Sequence, residues 1–198
     1  MPKHPKTRRY GLFAAPVLAY LGHQNDRLAL TEPFIETSMS FDPRAFRYAL
    51  GCYPTGVAVV TASAGKAPMG ITVNSFASVS LEPPLILWCM DRKSSRYRTF
   101  TTAKNFTISV LGSAHQAVSV RLAKPGEHKL DDLSLVPTEA GPPGLEDALA
   151  ILECAREAVY DGGDHAIIVG RVLHFAWHKT GAPLVFFRGR YGALAASG

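Results

Sequence analysis

The first periodic stretch of the chain is FDPRAFRYALGCYPTG, residues 41–56. Phe46, Ala49, Leu50 and Tyr53 recur at i, i+3, i+4 and i+7, the repeat of one helical face. Asp42 can accept from the open N–H groups of a first turn, and Pro43 suits the first helical position. The spacing predicts a short amphipathic helix, ended by Pro54 and Gly56. The period then changes. GVAVVTASA is rich in Val and Thr and bounded by glycines, which is strand composition. A turn at residues 65–68 leads into GITVNSFASVSL, where apolar and polar residues alternate. Glu82, Pro83 and Pro84 break that pattern. PLILWCM is nearly continuously apolar and predicts a strand buried on both faces. DRKSSRYRTF turns polar and starts a helix, with Ser94 or Ser95 as its cap. NFTISVL reads as another strand, and SAHQAVSVRLA as a helix with Ser113 and Gln116 spaced as a capping box. Residues 124–146 are rich in Pro, Gly and charge and predict a long loop. ILECAREAVY and HAIIVGRVLHFAW, divided at Asp161, Gly162 and Gly163, predict two strands, and PLVFFRGRY a last short one.

Strand mostly follows strand through turns, with no regular alternation of strand and helix. That order argues against a doubly wound parallel sheet. It predicts a mainly β protein, a closed antiparallel barrel with a few helices.

At 198 residues, 47% hydrophobic and 19% charged, the chain can bury a core and exceeds one small domain by a little. The excess is at the N-terminus. Residues 1–38 read as a poorly specified extension, and residues 39–195 as the domain. MPKHPKTRRY followed by GLFAAPVLAYLG resembles a basic and then a short apolar export region. Pro16 interrupts it, however, and GHQNDRL supplies no small-residue cleavage site. The run is too short to span a bilayer, and no other segment could do so. Charge adds a second restriction. The formal charge is +5, but Lys3, Lys6, Arg8 and Arg9 account for four of the 21 basic residues, leaving 17 against 16 acidic. The body is nearly neutral, which argues against a nucleic-acid or membrane-surface binder. Cys52, Cys89 and Cys154 are three, far apart, with no C-x-x-C. Reduced, buried thiols in a cytoplasm fit that usage.

Several chemistries are disfavoured by spacing. His174 and His178 would share a strand face about 13 Å apart, too far for one ion. No H-E-x-x-H, G-x-S-x-G or strand-linked G-x-G-x-x-G occurs. The lysine after Gly65 is no P-loop, because Val60 and Ala67 stand where Gly and Ser or Thr are needed. A distributed signal remains. PTGV, GITVNSFASVSLEPP and CMDRKSS each place glycines or small polar residues at strand ends. A planar cofactor with a phosphate tail needs such a lining, with Arg92, Lys93, Ser94 and Ser95 at the phosphate. The plainer alternative is that Ser94 and Ser95 cap a helix while Thr72, Asn74 and Ser75 face solvent.

Five segments in order carry a resemblance: FRYALGCYPTGVAVVTA, GITVNSFASVSLEPPLILWCMDRKSS, NFTISVL, LECAREAVYDGGDHAIIVGRVLH and PLVFFRGRYGAL. Together they resemble the short-chain flavin reductases, the reductase components of two-component flavin monooxygenases, over about residues 41–193. The resemblance implies a homodimeric, six-stranded antiparallel split β-barrel that binds FMN or FAD and oxidises NADH or NADPH. It implies a flavin-dependent monooxygenase as the partner that receives reduced flavin, and neither nucleic acid nor membrane. Thr55 and Gly56 would lie by the flavin, and Thr72, Val73, Asn74, Ser75 and Ser78 would line its ring and ribityl chain. Asp91, Lys93, Ser94 and Ser95 would hold the phosphate region. Asp164 and His165 would lie on the nicotinamide side, with Arg190 and Tyr191 nearby. Hydride would pass from nicotinamide C4 to flavin N5, with His165 positioning the nicotinamide or stabilising negative charge on reduced flavin. An unpaired buried hydroxyl or amide costs about 1–3 kcal/mol, so the polar cluster in GITVNSF needs partners that a flavin could supply. The loop KPGEHKLDDLSL lacks the aromatic residues of this family, which leaves the choice of nicotinamide open. A flavin-binding electron carrier on the same barrel is the alternative reading.

Overall fold

The computed structural model describes residues 41–63, 67–126 and 128–194. The expected N-terminal extension, residues 1–38, lies outside the described residues. The helices are α1 (Pro43–Leu50), α2 (Tyr97–Thr102) and α3 (Gln116–Leu122). The longer strands are β2 (Ala58–Ala62), β3 (Met69–Val73), β4 (Ala77–Leu81), β5 (Pro84–Asp91), β6 (Asn105–Val110), β9 (Ala150–Gly162) and β10 (His165–Trp177). They form one antiparallel sheet in the order β3-β2-β6-β9-β10-β5-β4. Short strands β1 (Thr55–Gly56), β11 (Val185–Phe187) and β12 (Arg190–Gly192) make a three-stranded sheet, and β7 (Leu135–Val136) pairs with β8 (Gly144–Leu145).

The expected mainly β, antiparallel class is what the chain adopts; the expected six-stranded closed barrel is not. The sheet has seven strands, and its end strands β3 and β4 do not ladder to each other. The extra strand arises inside GITVNSFASVSL. Its alternation reads as one strand, but residues 74–76 carry the chain from one end of the sheet to the other. Four steps of extended chain from Val73 to Ala77 reach at most about 14 Å. The end strands of a flat seven-stranded sheet would stand about 29 Å apart. The sheet is therefore strongly curled. Ser75 fastens the crossing, its Oγ accepting from the N–H of Cys89 at 2.9 Å.

Alternation fills the inside of the curl. Ala58, Val60 and Ala62 of β2, Ile71 and Val73 of β3, Ile86, Trp88 and Met90 of β5, and Ile108 of β6 form one buried cluster. Trp88 is its hub, edge-on to Phe100 at 5.9 Å and to Phe106 at 5.7 Å. PLILWCM is not buried on both faces: Leu85, Leu87 and Cys89 stay half-buried. The doubly buried strand is β2, because Val59, with Val57 just before the strand, joins a second cluster with Leu111, Leu122, Leu130 and Leu184 on the other face of the sheet. The long loop is pinned there. Thr61 Oγ1 donates to the Pro143 carbonyl at 2.7 Å, Thr107 Oγ1 to that of Pro142 at 2.5 Å, and Ser109 Oγ accepts from the Leu145 N–H at 3.0 Å. These hydroxyls explain why buried strands carry Thr and Ser at all.

Asp42 caps α1 as expected, accepting from the Arg44 N–H at 2.8 Å. The capping box at Ser113 does not form. A 3-10 turn over Ser113–His115 moves the start of α3 to Gln116, so Ser113 no longer stands at its N-cap.

Candidate functional site

A cleft of about 520 Å3 opens where three segments meet. One wall is the end of β3 and the crossing behind it, with Thr72, Val73, Asn74 and Ser75. Strand alternation sends Ile71 and Val73 into the core, so Thr72 faces away from it. Its Oγ1 donates to the Ser119 carbonyl of α3 at 2.8 Å, which commits its proton and leaves its lone pairs. Ser75 is the converse case. Its oxygen already accepts from Cys89, so its O–H remains available to a ligand.

The second wall is the turn after β5, with Asp91, Lys93, Ser94 and Ser95. Asp91 shapes that turn: its Oδ1 accepts from the Lys93 N–H at 2.8 Å and its carbonyl from the Ser94 N–H at 3.1 Å. Ser94 Oγ accepts from the Arg96 N–H at 3.2 Å, ahead of α2. The Lys93 ammonium and the Ser95 hydroxyl have no hydrogen-bond partner among the described residues. Arg92, expected beside them, points elsewhere. It donates from Nη2 to Asp161 at 2.6 Å, from Nε to the Gly163 carbonyl at 3.0 Å and from Nη1 to the Tyr97 hydroxyl at 3.2 Å. Arg92 thereby ties the β9–β10 hairpin to the turn, and its hydrogen bond and charge hold the Asp161 carboxyl below the usual carboxylate range.

His165 opens β10 directly opposite Asp91 in β5, and this register brings it to the cleft. Its Nδ1 lies 2.8 Å from Asp164 Oδ1. The carboxylate accepts, so Nδ1 carries a proton and Nε2 is left for a ligand. The hydrogen bond from His165, then its charge, with a smaller contribution from Lys93, lowers the Asp164 pKa.

The remaining expected residues stand off the cleft. Thr55 and Gly56 pair with Phe186 and Val185, and Thr55 Oγ1 is buried with no partner among the described residues. Ser78 is exposed on β4, and Arg190 on β12. Asp164 touches the cleft only through His165. Tyr191 reaches it by two steps: its hydroxyl shares a 2.8 Å hydrogen bond with Ser119 Oγ, and the Ser119 carbonyl holds Thr72.

The sequence marked the third wall's loop, KPGEHKLDDLSL, only for its lack of aromatic residues and named none of its side chains as site residues. This wall consists of Leu122, Ala123, Lys124, Pro125 and His128, at the end of α3 and in the strap beyond it. The strap runs along the outer edge of β3: Gly70 N–H donates to the His128 carbonyl at 2.9 Å, and Met69 bridges to Lys129. Nothing local in KPGEH announces an edge partner 58 residues away in sequence. With this wall the cleft carries two lysines, Lys93 and Lys124. Among the described lining residues the one carboxylate is Asp91, whose Oδ1 accepts within its own turn. The donor set fits a phosphate-bearing ligand with a polar planar edge: ammonium groups on Lys93 and Lys124, and hydroxyl and amide groups at the end of β3 and in the crossing behind it.

Residues 50–195 match the family model described as Flavin reductase like domain. The chain is 48% identical over 152 residues to SmoA, an FMN reductase (NADH) of Agrobacterium fabrum, covering 77% of this chain and 86% of that protein. It is 35% identical over 155 residues to HsaB, the reductase subunit of a flavin-dependent monooxygenase of Rhodococcus jostii, covering 78% and 80%. Among solved structures it is similar to SgcE6, the NADH:FAD oxidoreductase of Streptomyces globisporus in complex with NAD and FAD fragments. There the TM-score is 0.74 at 35% identity, over 78% of this chain and 94% of that one.

Proposed function

The chain belongs to the flavin reductase like family, and from that premise we propose that this cleft is where FMN or FAD is reduced by NADH or NADPH. The observation that carries the reading is the polar lining of the cleft: an uncommitted ammonium on Lys93, uncommitted hydroxyls on Ser75 and Ser95, and a histidine with one nitrogen turned to the ligand. When bound, the flavin supplies a two-electron acceptor for the nicotinamide hydride. The protein's share is binding and orientation. Lys93 and Ser95 hold the phosphate, with Asp91 and Ser94 shaping their turn. Asn74 and Ser75 meet the polar edge of the ring, and Thr72 offers lone pairs only. His165, fixed in tautomer by Asp164, positions the nicotinamide. No nucleophile is required.

Reduced flavin then passes to a partner monooxygenase, in the cytoplasm. Among the described residues no helix is long and apolar enough to cross a membrane. Residues 39–195 form the working domain. It works as a homodimer: Phe175 and Trp177, stacked at 5.8 Å on β10, are 66% and 65% exposed in the single chain, an area suited to a second copy.

The test is steady-state oxidation of NADH or NADPH with free FMN or FAD, followed at the nicotinamide absorbance. Turnover is expected with at least one pairing, and His165→Ala is expected to lower it more than it lowers flavin affinity. An electron carrier would show no steady turnover. Equal loss of both properties in the variant would remove His165 from the nicotinamide.

A further inference from the structure

One buried titratable side chain borders the cleft and has no part in the function described above. His128 is 6% exposed, and the strap that carries it is fixed by main chain. Its carbonyl accepts from the Gly70 N–H at 2.9 Å, and its ring Nδ1 lies 3.2 Å from the Gly70 carbonyl. The two residues thus exchange a pair of bonds across the edge of β3. A carbonyl can only accept, so Nδ1 carries the proton, and in the neutral ring Nε2 is a lone-pair acceptor. Nε2 has no partner among the described residues, and the ring lines the cleft.

Gly70 shows how tightly this arrangement is set. A Cβ there would meet Leu130 Cδ2 at 2.8 Å and Leu122 Cδ1 at 3.2 Å, so α3 and the strap are pressed onto the strand. The His128 ring therefore has little freedom to turn away. The composition of the cleft supplies the complement. Lys93, Lys124, Ser75 and Ser95 are donors, and Asp91 Oδ1 accepts within its own turn. A ligand N–H entering this cleft can meet Asp91 Oδ2, the Thr72 hydroxyl oxygen, the Asn74 amide oxygen or His128 Nε2; of these residues His128 alone is buried, where an unpaired acceptor is costly.

We propose that His128 is a ligand-contacting residue whose Nε2 accepts a hydrogen bond from the N–H of a cyclic imide or a primary carboxamide. This rests on the flavin and nicotinamide reading, since a flavin carries the imide and a nicotinamide the carboxamide. Two substitutions separate this role from that of a structural pin. In His128→Asn the amide nitrogen takes the place of Nδ1 and can still donate to Gly70, but nothing replaces Nε2. In His128→Gln the amide takes the place of Nε2, and the bond to Gly70 is lost.

Dissociation constants for FMN and FAD by fluorescence titration, KM and kcat for NADH and NADPH, and melting temperature are measured for all three proteins. His128→Asn is expected to melt near the wild type yet to raise one constant by about three- to tenfold, with His128→Gln closer to wild type in that constant. A raised flavin dissociation constant identifies the imide as donor. A raised nicotinamide KM at unchanged kcat and flavin affinity identifies the carboxamide. A folded His128→Asn with wild-type constants overturns the proposal, whatever the Gln variant does. A wild type that binds neither flavin overturns the functional reading and this inference together.

Discussion

Gly170 gives the sharpest test of the packing that holds β10, and with it His165, in place. A Cβ at Gly170 would lie 2.4 Å from Phe106 Cζ and 3.1 Å from both Phe106 Cε1 and Cys154 Cβ. Carbon atoms in contact prefer about 3.5–4.0 Å, so the Phe106 ring would have to retreat by about 1 Å. It has nowhere to go. Phe106 is fully buried and meets Trp88 edge-on at 5.7 Å, and Trp88 in turn meets Phe100 at 5.9 Å. Adding a methyl to so tight a site costs about 1–3 kcal/mol, and the short approach argues for the upper end. At about 2–4 °C per kcal/mol for a chain of this size, Gly170→Ala should lower the melting temperature by about 6–12 °C. Gly192→Ala in β12 is the control, since a Cβ there meets nothing within 4 Å. Its stability should stay within about 0.5 kcal/mol of wild type. Thermal melts followed by far-ultraviolet circular dichroism, with urea titrations alongside, read both. If Gly170→Ala melts with Gly192→Ala and the wild type, the contact between β10 and Phe106 is wrong.

Other expectations follow from single contacts. The Asp161 carboxyl is held low by Arg92, so its stabilising contribution is present above the unfolded value near 3.9 and is lost as pH falls through the lower folded value. The gap in urea midpoint between wild type and Asp161→Asn should therefore be widest near neutrality and close in acid; a gap independent of pH contradicts this. Tyr191→Phe removes the hydrogen bond to Ser119 and should cost about 1 kcal/mol, read as a small drop in melting temperature. Thr72 keeps its bond to the Ser119 carbonyl, so flavin affinity should change little; a large loss would place Tyr191 on the ligand itself. Burial pushes the Cys154 thiol up to about 12, whereas Cys52 is exposed. A thiol reagent at neutral pH should label Cys52 and spare Cys154 until the chain unfolds, as mass spectrometry of the digest would show.

What the sequence made legible was local. The α1 cap, the strands and the β9–β10 hairpin follow from cap chemistry, period-two alternation and glycine-rich turns, all within a few residues of one another. That Thr72, Asn74 and Ser75 gather at one place was visible, because so polar a cluster stands out beside core strands, and the three do line one cleft. Non-local contacts decided the rest. The alternation through GITVNSFASVSL conceals a change of sheet edge, since both halves keep period two. Arg92 looked like a phosphate ligand until Asp161, 69 residues later, claimed it. Tyr191 bonds to Ser119, and His128 reaches the cleft through an edge pairing with Gly70. Neither partner is marked by composition or spacing.

The most direct measurement is equilibrium titration of the full chain with FMN and with FAD, watching flavin fluorescence and the protein's melting temperature. Saturable quenching and a rise in melting temperature are expected with at least one flavin, weakened roughly tenfold or more by Lys93→Ala through loss of a charge-assisted bond. Fluorescence and melting temperature unmoved by either flavin would contradict the account at its base.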